Sequence, residues 1–306
     1  VNTTEYIARV RLAARVPDAD EDLTDTKILD AGSESLRERY ATVLQNRREG
    51  YWLHRETVSA SSTTNEYRIP PRAIAQGLEK VEVSYTGLTW VKLNPLFDSE
   101  AGMYDSASPG APNWFSLEAD YVRIYPMPDT SCTIRFSYAL RPSRLRAVSA
   151  LGTVVSAPTS SSIRVSGADP TSLLGASGTL DVVNTTGSNE VAIVAVPFSA
   201  IASAGGGNYD ITITGGASLT RIAAGQVVRP TDQTDYIPLP VELHDSLVRR
   251  VAGMYLVEAG DTEQGNMLLA AAEASIKRFH ETAPRVKGSP FKVKSGRATY
   301  LRRRYG

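Results

Sequence analysis

Asp18, Asp20 and Asp22 stand at alternate positions, the spacing that opens a calcium-binding loop. Hard cations take carboxylate and carbonyl oxygens in such loops. The pattern then fails, because Leu23 stands where the sharp turn needs glycine and Leu29 where a bidentate glutamate belongs. The segment therefore reads as a solvated acidic loop. His54, His244 and His280 could serve as bases or ligands, but they fall on separate elements without metal spacing, as packed or surface histidines do. Cys132 is the single cysteine and lies on the apolar side of an alternating run, so it reads as a small core residue. Gly205-Gly206-Gly207 could cradle an anion, yet no helix start or Lys-Ser pair follows it. HExxH, Walker-A, GxGxxG and GxSxG patterns are missing, and no metal or cofactor is expected.

One constellation remains. From Arg285 to Gly306 the chain carries Arg285, Lys287, Lys292, Lys294, Arg297, Arg302, Arg303 and Arg304 without one acid. Phe291, Tyr300, Leu301 and Tyr305 lie between these charges. Extended, such an arm reaches up to roughly 70 Å. Basic residues alternating with apolar anchors suit an acidic groove on a protein partner. Contact with DNA phosphates is compatible with the charge, but nothing here reads bases. The structural alternative is a solvated terminus.

The elements that would position these residues fall in blocks. Residues 1–50 read as helical: a short helix capped by Thr3 or Thr4 and ending near Val16, then a longer one from Asp25 to Arg48. Residues 51–145 change to period two, with strands expected at 51–60, 66–70, 80–86 and 89–93, then a loop at 98–114. Tyr121–Pro142 reads as a hairpin of two alternating strands about Pro126-Met127-Pro128-Asp129-Thr130.

Residues 146–230 hold few charges and many Gly, Ser, Thr, Ala and Val residues, with six short β runs spaced like a small barrel or sandwich. Residues 231–283 return to helical period as an αα-hairpin, with Gly260 past the first helix and Asp261-Thr262-Glu263-Gln264 opening the second. Residues 284–306 are the basic arm. The expected fold class is α+β: a helical bundle from the N- and C-terminal helices, an antiparallel β domain in the middle and an inserted β-barrel or sandwich.

Bulk properties exclude little more. The 306 residues are 42% hydrophobic and 22% charged, with formal charge +0, so any electrostatic role must be local. No apolar run is long enough for a membrane span. The opening VNTTEYIARV lacks a signal-peptide pattern, and one cysteine allows no internal disulfide, so synthesis and retention in cytosol is the expectation.

Three phrases occur in order: Glu66-Tyr67-Arg68-Ile69-Pro70; Tyr121-Val122-Arg123-Ile124-Tyr125-Pro126-Met127-Pro128-Asp129; and Ile237-Pro238-Leu239-Pro240-Val241-Glu242-Leu243-His244. Set between paired terminal helices, they resemble the head-to-tail adaptor (connector) proteins of tailed bacteriophages, especially short-tailed ones. The resemblance covers about 1–145 and 231–283, and the 146–230 block departs from it as an insertion.

It implies a structural virion protein at the head–tail interface, assembled in the host cytoplasm, with no enzymatic activity. Copies would form a ring, typically twelve-fold, below the portal protein. The ring would extend the channel, pass DNA without sequence readout, avoid membranes and hold the next tail component, a nozzle or hub. The arm Arg285, Lys287, Phe291, Lys292, Lys294, Arg297, Tyr300, Leu301, Arg302, Arg303, Arg304 and Tyr305 would dock into the portal. An alternative is a carbohydrate- or surface-binding β-module on a helical oligomerisation base, motivated by the Ser/Thr/Gly-rich block and by Trp52, Trp90 and Trp114. A hydrolase has only scattered Glu and His residues behind it.

Overall fold

The computed structural model describes residues 1–17, 21–47, 53–96, 109–147, 152–156, 158–159, 161–185, 191–214, 219 and 221–282. Helix α1 (Thr3–Ala14) is capped by Asn2, whose side chain accepts the Glu5 N–H at 2.8 Å, one residue earlier than the threonines suggested. Arg15 ends it in the left-handed conformation. Thr24 caps α2 (Asp25–Ser35). The expected long helix continues through a π-helical segment, Leu36–Tyr40, into α3 (Ala41–Arg47). Leu36 and Tyr40, at its two ends, are both fully buried.

The strands that follow are β1 (Leu53–Ala60), β2 (Glu66–Arg68), β3 (Ala73–Ser84), β4 (Val91–Lys92), β5 (Asn94–Pro95), β6 (Pro109–Gly110), β7 (Trp114–Glu118), β8 (Tyr121–Tyr125), β9 (Met127–Pro128) and β10 (Cys132–Leu140). Eight of them form two four-stranded sheets, ordered β1-β10-β3-β4 and β2-β8-β7-β5, and β6 pairs in parallel with β9. The expected Tyr121–Pro142 hairpin is therefore corrected. Its first strand, β8, pairs with β2 and β7, and its second, β10, with β1 and β3. Alternation fixes which face of a strand is buried, but it does not name the neighbouring strand. The proline-rich link carries the chain from one sheet to the other.

After β11 (Arg144–Leu145) the chain enters a closed six-stranded barrel of β12 (Thr153–Val154), β13 (Ser162–Ser166), β14 (Gly178–Val183), β15 (Val191–Gly205), β16 (Asn208–Ile213) and β17 (Val227–Pro230). A single helical turn, α4 (Thr171–Leu174), lies between β13 and β14. The barrel has its own core, with Ile163, Val165, Leu180, Val182 and Ile211 fully buried. Strand β18 (Gln233–Thr234) returns to pair in parallel with β11. A 3₁₀ turn, Val241–Leu243, then opens α5 (His244–Glu258), and α6 (Thr262–Thr282) follows it.

The helical hairpin closes through glycine more than through alanine. A Cβ on Gly253 would meet the Gly265 carbonyl oxygen at 2.9 Å, and one on Gly265 would meet that of Gly253 at 2.8 Å. Only hydrogen at both positions lets the two backbones come this near.

The α+β expectation with a helical bundle is corrected. Among the described residues strand exceeds helix, 38% to 31%, and no N- and C-terminal bundle is evident. Buried residues of α1, α2 and α5 merge with those of β1, β3, β8 and β10 in one continuous core that includes Tyr6, Ile28, Leu247, Val81, Ile124 and Phe136. An apolar helical stripe states that something covers it; here strands share that cover with helices.

Candidate functional site

The chain crosses between body and barrel twice, outward after Leu140 and back after Pro230, and its buried charges gather at these crossings. Asp181 on β14 is fully buried, and Arg72, just before β3, is 5% exposed. Arg72 Nη1 donates to Asp181 Oδ2 at 2.5 Å, while its Nη2 donates to Ser143 Oγ at 2.8 Å and to the Arg141 carbonyl at 3.2 Å. One guanidinium thus holds the barrel wall and the outgoing chain together. Arg37, from the π-helical segment, donates to both carboxylate oxygens of Asp232 at 3.0 and 2.9 Å and to the Pro142 carbonyl at 3.1 Å. That fork ties the outgoing and returning segments to the helical layer.

Asp181 accepts two further bonds, from the Ala195 N–H at 2.8 Å and from the Asp232 N–H at 3.1 Å. Both donors belong to non-glycine residues in the left-handed region, with φ of 52° and 66°. Such conformations cost about 1–2 kcal/mol each and persist where the surroundings over-determine them. The carboxylate does this by accepting both amides. Burial pushes the Asp181 carboxyl upward, against the pull of Arg72 and the two amides.

A second buried pair lies beside the first. Arg229, at the barrel's last strand, donates to Asp235 through Nε at 2.8 Å and Nη2 at 2.5 Å. The Asp235 carbonyl accepts the Thr3 N–H at 2.8 Å, so α1 is pinned to the returning segment. Apolar contact adds to the charges: Val191 and Val194 of β15 pack against the body core.

The sequence-read candidates fall as follows. His54 lies on β1, its ring edge-on to Tyr138 at 5.6 Å, and burial with nearby Arg221 and Arg72 lowers its pKa to about 4. Tyr138 is fully buried and donates to Glu56 at 3.0 Å. His244 is buried with Nε2 2.9 Å from the Leu239 carbonyl, and His280 stands near the end of α6. The three do not meet. Cys132 is buried, and burial raises its thiol pKa. Gly205–Gly207 form the β15–β16 turn. Among the described residues no His/Cys/Asp/Glu group could hold a metal ion, and no helix is long and apolar enough to cross a membrane. Asp18 and Asp20 lie outside the described residues, as does the whole arm from Arg285 to Tyr305, including Lys287, Phe291, Lys292, Lys294, Arg297, Tyr300, Leu301, Arg302, Arg303 and Arg304.

Of the three tryptophans, Trp114 is on strand β7, half-buried and opposite Tyr125, rather than in a loop. Trp90 is covered by the Arg135 guanidinium at 4.0 Å. Trp52 lies outside the described residues.

Sequence reading missed the junction. Its signal was a lone aspartate in the apolar strand Gly178–Val183 and a lone arginine in Val227–Pro230. A charge inside a strand buried on both faces requires a partner.

The three ordered phrases come together in the structure. Residues 66–68 pair antiparallel with 121–123, placing Glu66 opposite Arg123, and the two side chains form an ion pair. Tyr67, Ile69, Val122, Ile124, Ile237, Leu239 and Leu243 all belong to the body core. Comparison with protein-family models and with curated proteins returned no match.

Proposed function

We propose that this chain is a structural assembly subunit of the head–tail adaptor type, forming a ring below a portal protein and joining it to tail components. The observation that carries this reading is the convergence of the three adaptor-like phrases. Separated by up to about 170 positions, they form one core with the helices, while the 153–230 barrel has its own core and branches off between them. That is the arrangement expected of an adaptor-like body carrying an inserted module.

The junction gives the reading physical content. A subunit that transmits position from head to tail needs modules held at a fixed angle, and inter-domain motion is the default unless an interface is large or specifically bonded. Here Arg72, Arg37, Arg229, Asp181, Asp232 and Asp235 bond the barrel to the body through both crossings. Among the described residues the buried arginines and aspartates, Arg72, Asp181, Arg229 and Asp235, all belong to this joint. Two of the three tryptophans behind the carbohydrate-binding alternative are not free rings on loops, Trp114 being half-buried in a strand and Trp90 engaged by Arg135.

In the proposed assembly the basic Arg285–Gly306 arm docks between portal subunits. Native mass spectrometry of a portal mixed with this protein should show about one copy per portal subunit. Truncation after Thr282 should lower that binding at least tenfold while leaving the thermal midpoint unchanged. Unchanged portal binding by the truncated chain would rule out the docking arm.

A further inference from the structure

Two features of the sequence stand apart from the junction: the acid-rich segment Asp18–Asp25 and the basic arm. The segment holds five acids and no base. The arm carries eight of the chain's 33 basic residues and none of its 33 acids, so residues 1–284 hold eight more acids than bases. A formal charge of +0 therefore conceals a basic end on an acidic remainder. Leu88, in the turn between β3 and β4, is the most exposed large apolar residue described, at 89%, but its turn carries no charge that could answer the arm.

The acid-rich segment borders a groove. Between the start of α2 and the end of α5 lies a space of about 310 Å³ with Leu23, Ala31 and Met254 on its floor. Asp22, Lys27 and Glu258 line it as well. Lys27 is turned to the Asp22 carbonyl, to which its Nζ donates at 2.7 Å. Glu258 is exposed and makes no ion pair among the described residues. An apolar floor with an acid rim suits an apolar side chain flanked by cations.

The arm starts at the right distance. Ser246 donates to the Ala272 carbonyl at 3.0 Å and Gly253 faces Gly265, so α6 runs back along α5. Met254 is thus level with about Gly265, and Thr282 ends α6 about 26 Å further along the axis. Crossing one helix width of about 10 Å raises the span to about 28 Å. Nine residues of extended chain cover up to about 30 Å. Phe291 is the ninth residue after Thr282 and the first aromatic of the arm. It opens the run Phe291-Lys292-Val293-Lys294, in which apolar and basic residues alternate. Extended, such a run turns Phe291 and Val293 to one side and both lysines to the other.

We infer that the arm of the free subunit folds back on its own chain, seating Phe291 in the α2/α5 groove with Lys292 and Lys294 beside Asp22 and Glu258. The tether supplies an effective concentration on the order of 1 mM, so a contact of modest intrinsic affinity stays closed. Closed about fivefold over open, it moves the thermal midpoint of a chain this long by no more than about 2 °C. Any partner that takes the arm must compete with the groove. This contact goes beyond the adaptor reading and uses no second molecule.

The test uses the full-length chain with Ser295→Cys and Ala259→Cys, Ala259 being exposed at the groove's rim. Gly306→Cys with Ala259→Cys is the control for register, since a loose arm reaches the rim from either position. Cys132 is buried, so unsubstituted protein serves as the labelling blank. In dilute protein a short bismaleimide should link position 295 to the rim within one chain about fivefold faster than position 306. Adding Phe291→Asp or Glu258→Lys, neither in the core, should remove that preference. Equal rates from 295 and 306, or a preference untouched by both substitutions, overturn the contact. Linked dimers that outpace the within-chain link place the arm on another copy and overturn it as well. Portal docking is read separately by the truncation after Thr282, so the two readings fail independently.

Discussion

The barrel junction and the β3–β4 tip reverse the ordinary distribution of polarity in opposite senses. At the junction, charges are buried: Asp181 is fully enclosed, and Arg72 and Arg229 are each 5% exposed. At the tip, a leucine is left in water on a turn that its own side-chain hydrogen bonds hold still. Buried charge and exposed large apolar surface are the informative departures from the usual rule. The junction's departure is resolved within the chain, because each carboxylate meets an arginine and the left-handed amides meet a carboxylate. The tip's departure is not resolved within the chain. A residue set that satisfies itself fixes internal geometry, and one that does not is available to another molecule.

The sharpest way to break this comparison is to unpair the junction. Asp181→Ala leaves Arg72 buried without its carboxylate and removes the acceptor of two strained amides, so a loss of about 3–5 kcal/mol is expected in urea denaturation. Arg72→Met combined with Asp181→Leu should recover the part of that loss that comes from the orphan charge, while the Ala195 and Asp232 amides still lack their acceptor. A small loss for Asp181→Ala alone would mean that the junction does not hold the barrel.

His54 tests the same region through pH. Its folded pKa is lowered to about 4, so the unfolded chain takes up the proton first. Its contribution is complete above the unfolded pKa near 6.5 and is lost as pH falls toward 4, by roughly 3 kcal/mol in all. His54→Phe keeps a ring against Tyr138 and should flatten the stability profile over that window. An unchanged slope would show that the burial of His54 carries no such linkage.

The smallest stability effect is expected at the tip. Leu88→Asp should change monomer stability by no more than about 0.5 kcal/mol, as exposed substitutions generally do. A large destabilisation would make Leu88 an internal structural residue and collapse the contrast with the junction.

Legibility in the sequence followed how local each determinant was. The helical hairpin could be read from the stripe Leu243, Leu247, Val248 and Val251 and from Asp261, whose side chain accepts the Gln264 N–H at 3.2 Å. All six β runs in the 146–230 block (152–155, 162–165, 178–183, 191–196, 209–214 and 226–228) begin within one residue of an observed barrel strand, because alternation of Val and Ile is a local signal. Strand partners were not legible. Val122 and Ile134 carry the same alternation, yet they belong to different sheets. The helical layer was read as a bundle because its stripes do not reveal that Phe136 and Val81 help to cover them. The junction escaped because Arg72 and Asp181 are 109 positions apart, and only folding brings them together. The exposure of Leu88 was equally hidden, since an apolar residue in a turn looks the same whether covered or bare.

The most direct test of the account is an electron-microscopic image of the concentrated full-length protein. The account predicts closed rings in which every subunit carries its barrel at one fixed angle, resolved as separate density. Particles that stay monomeric at all concentrations, or rings whose barrel density is smeared out, would contradict it.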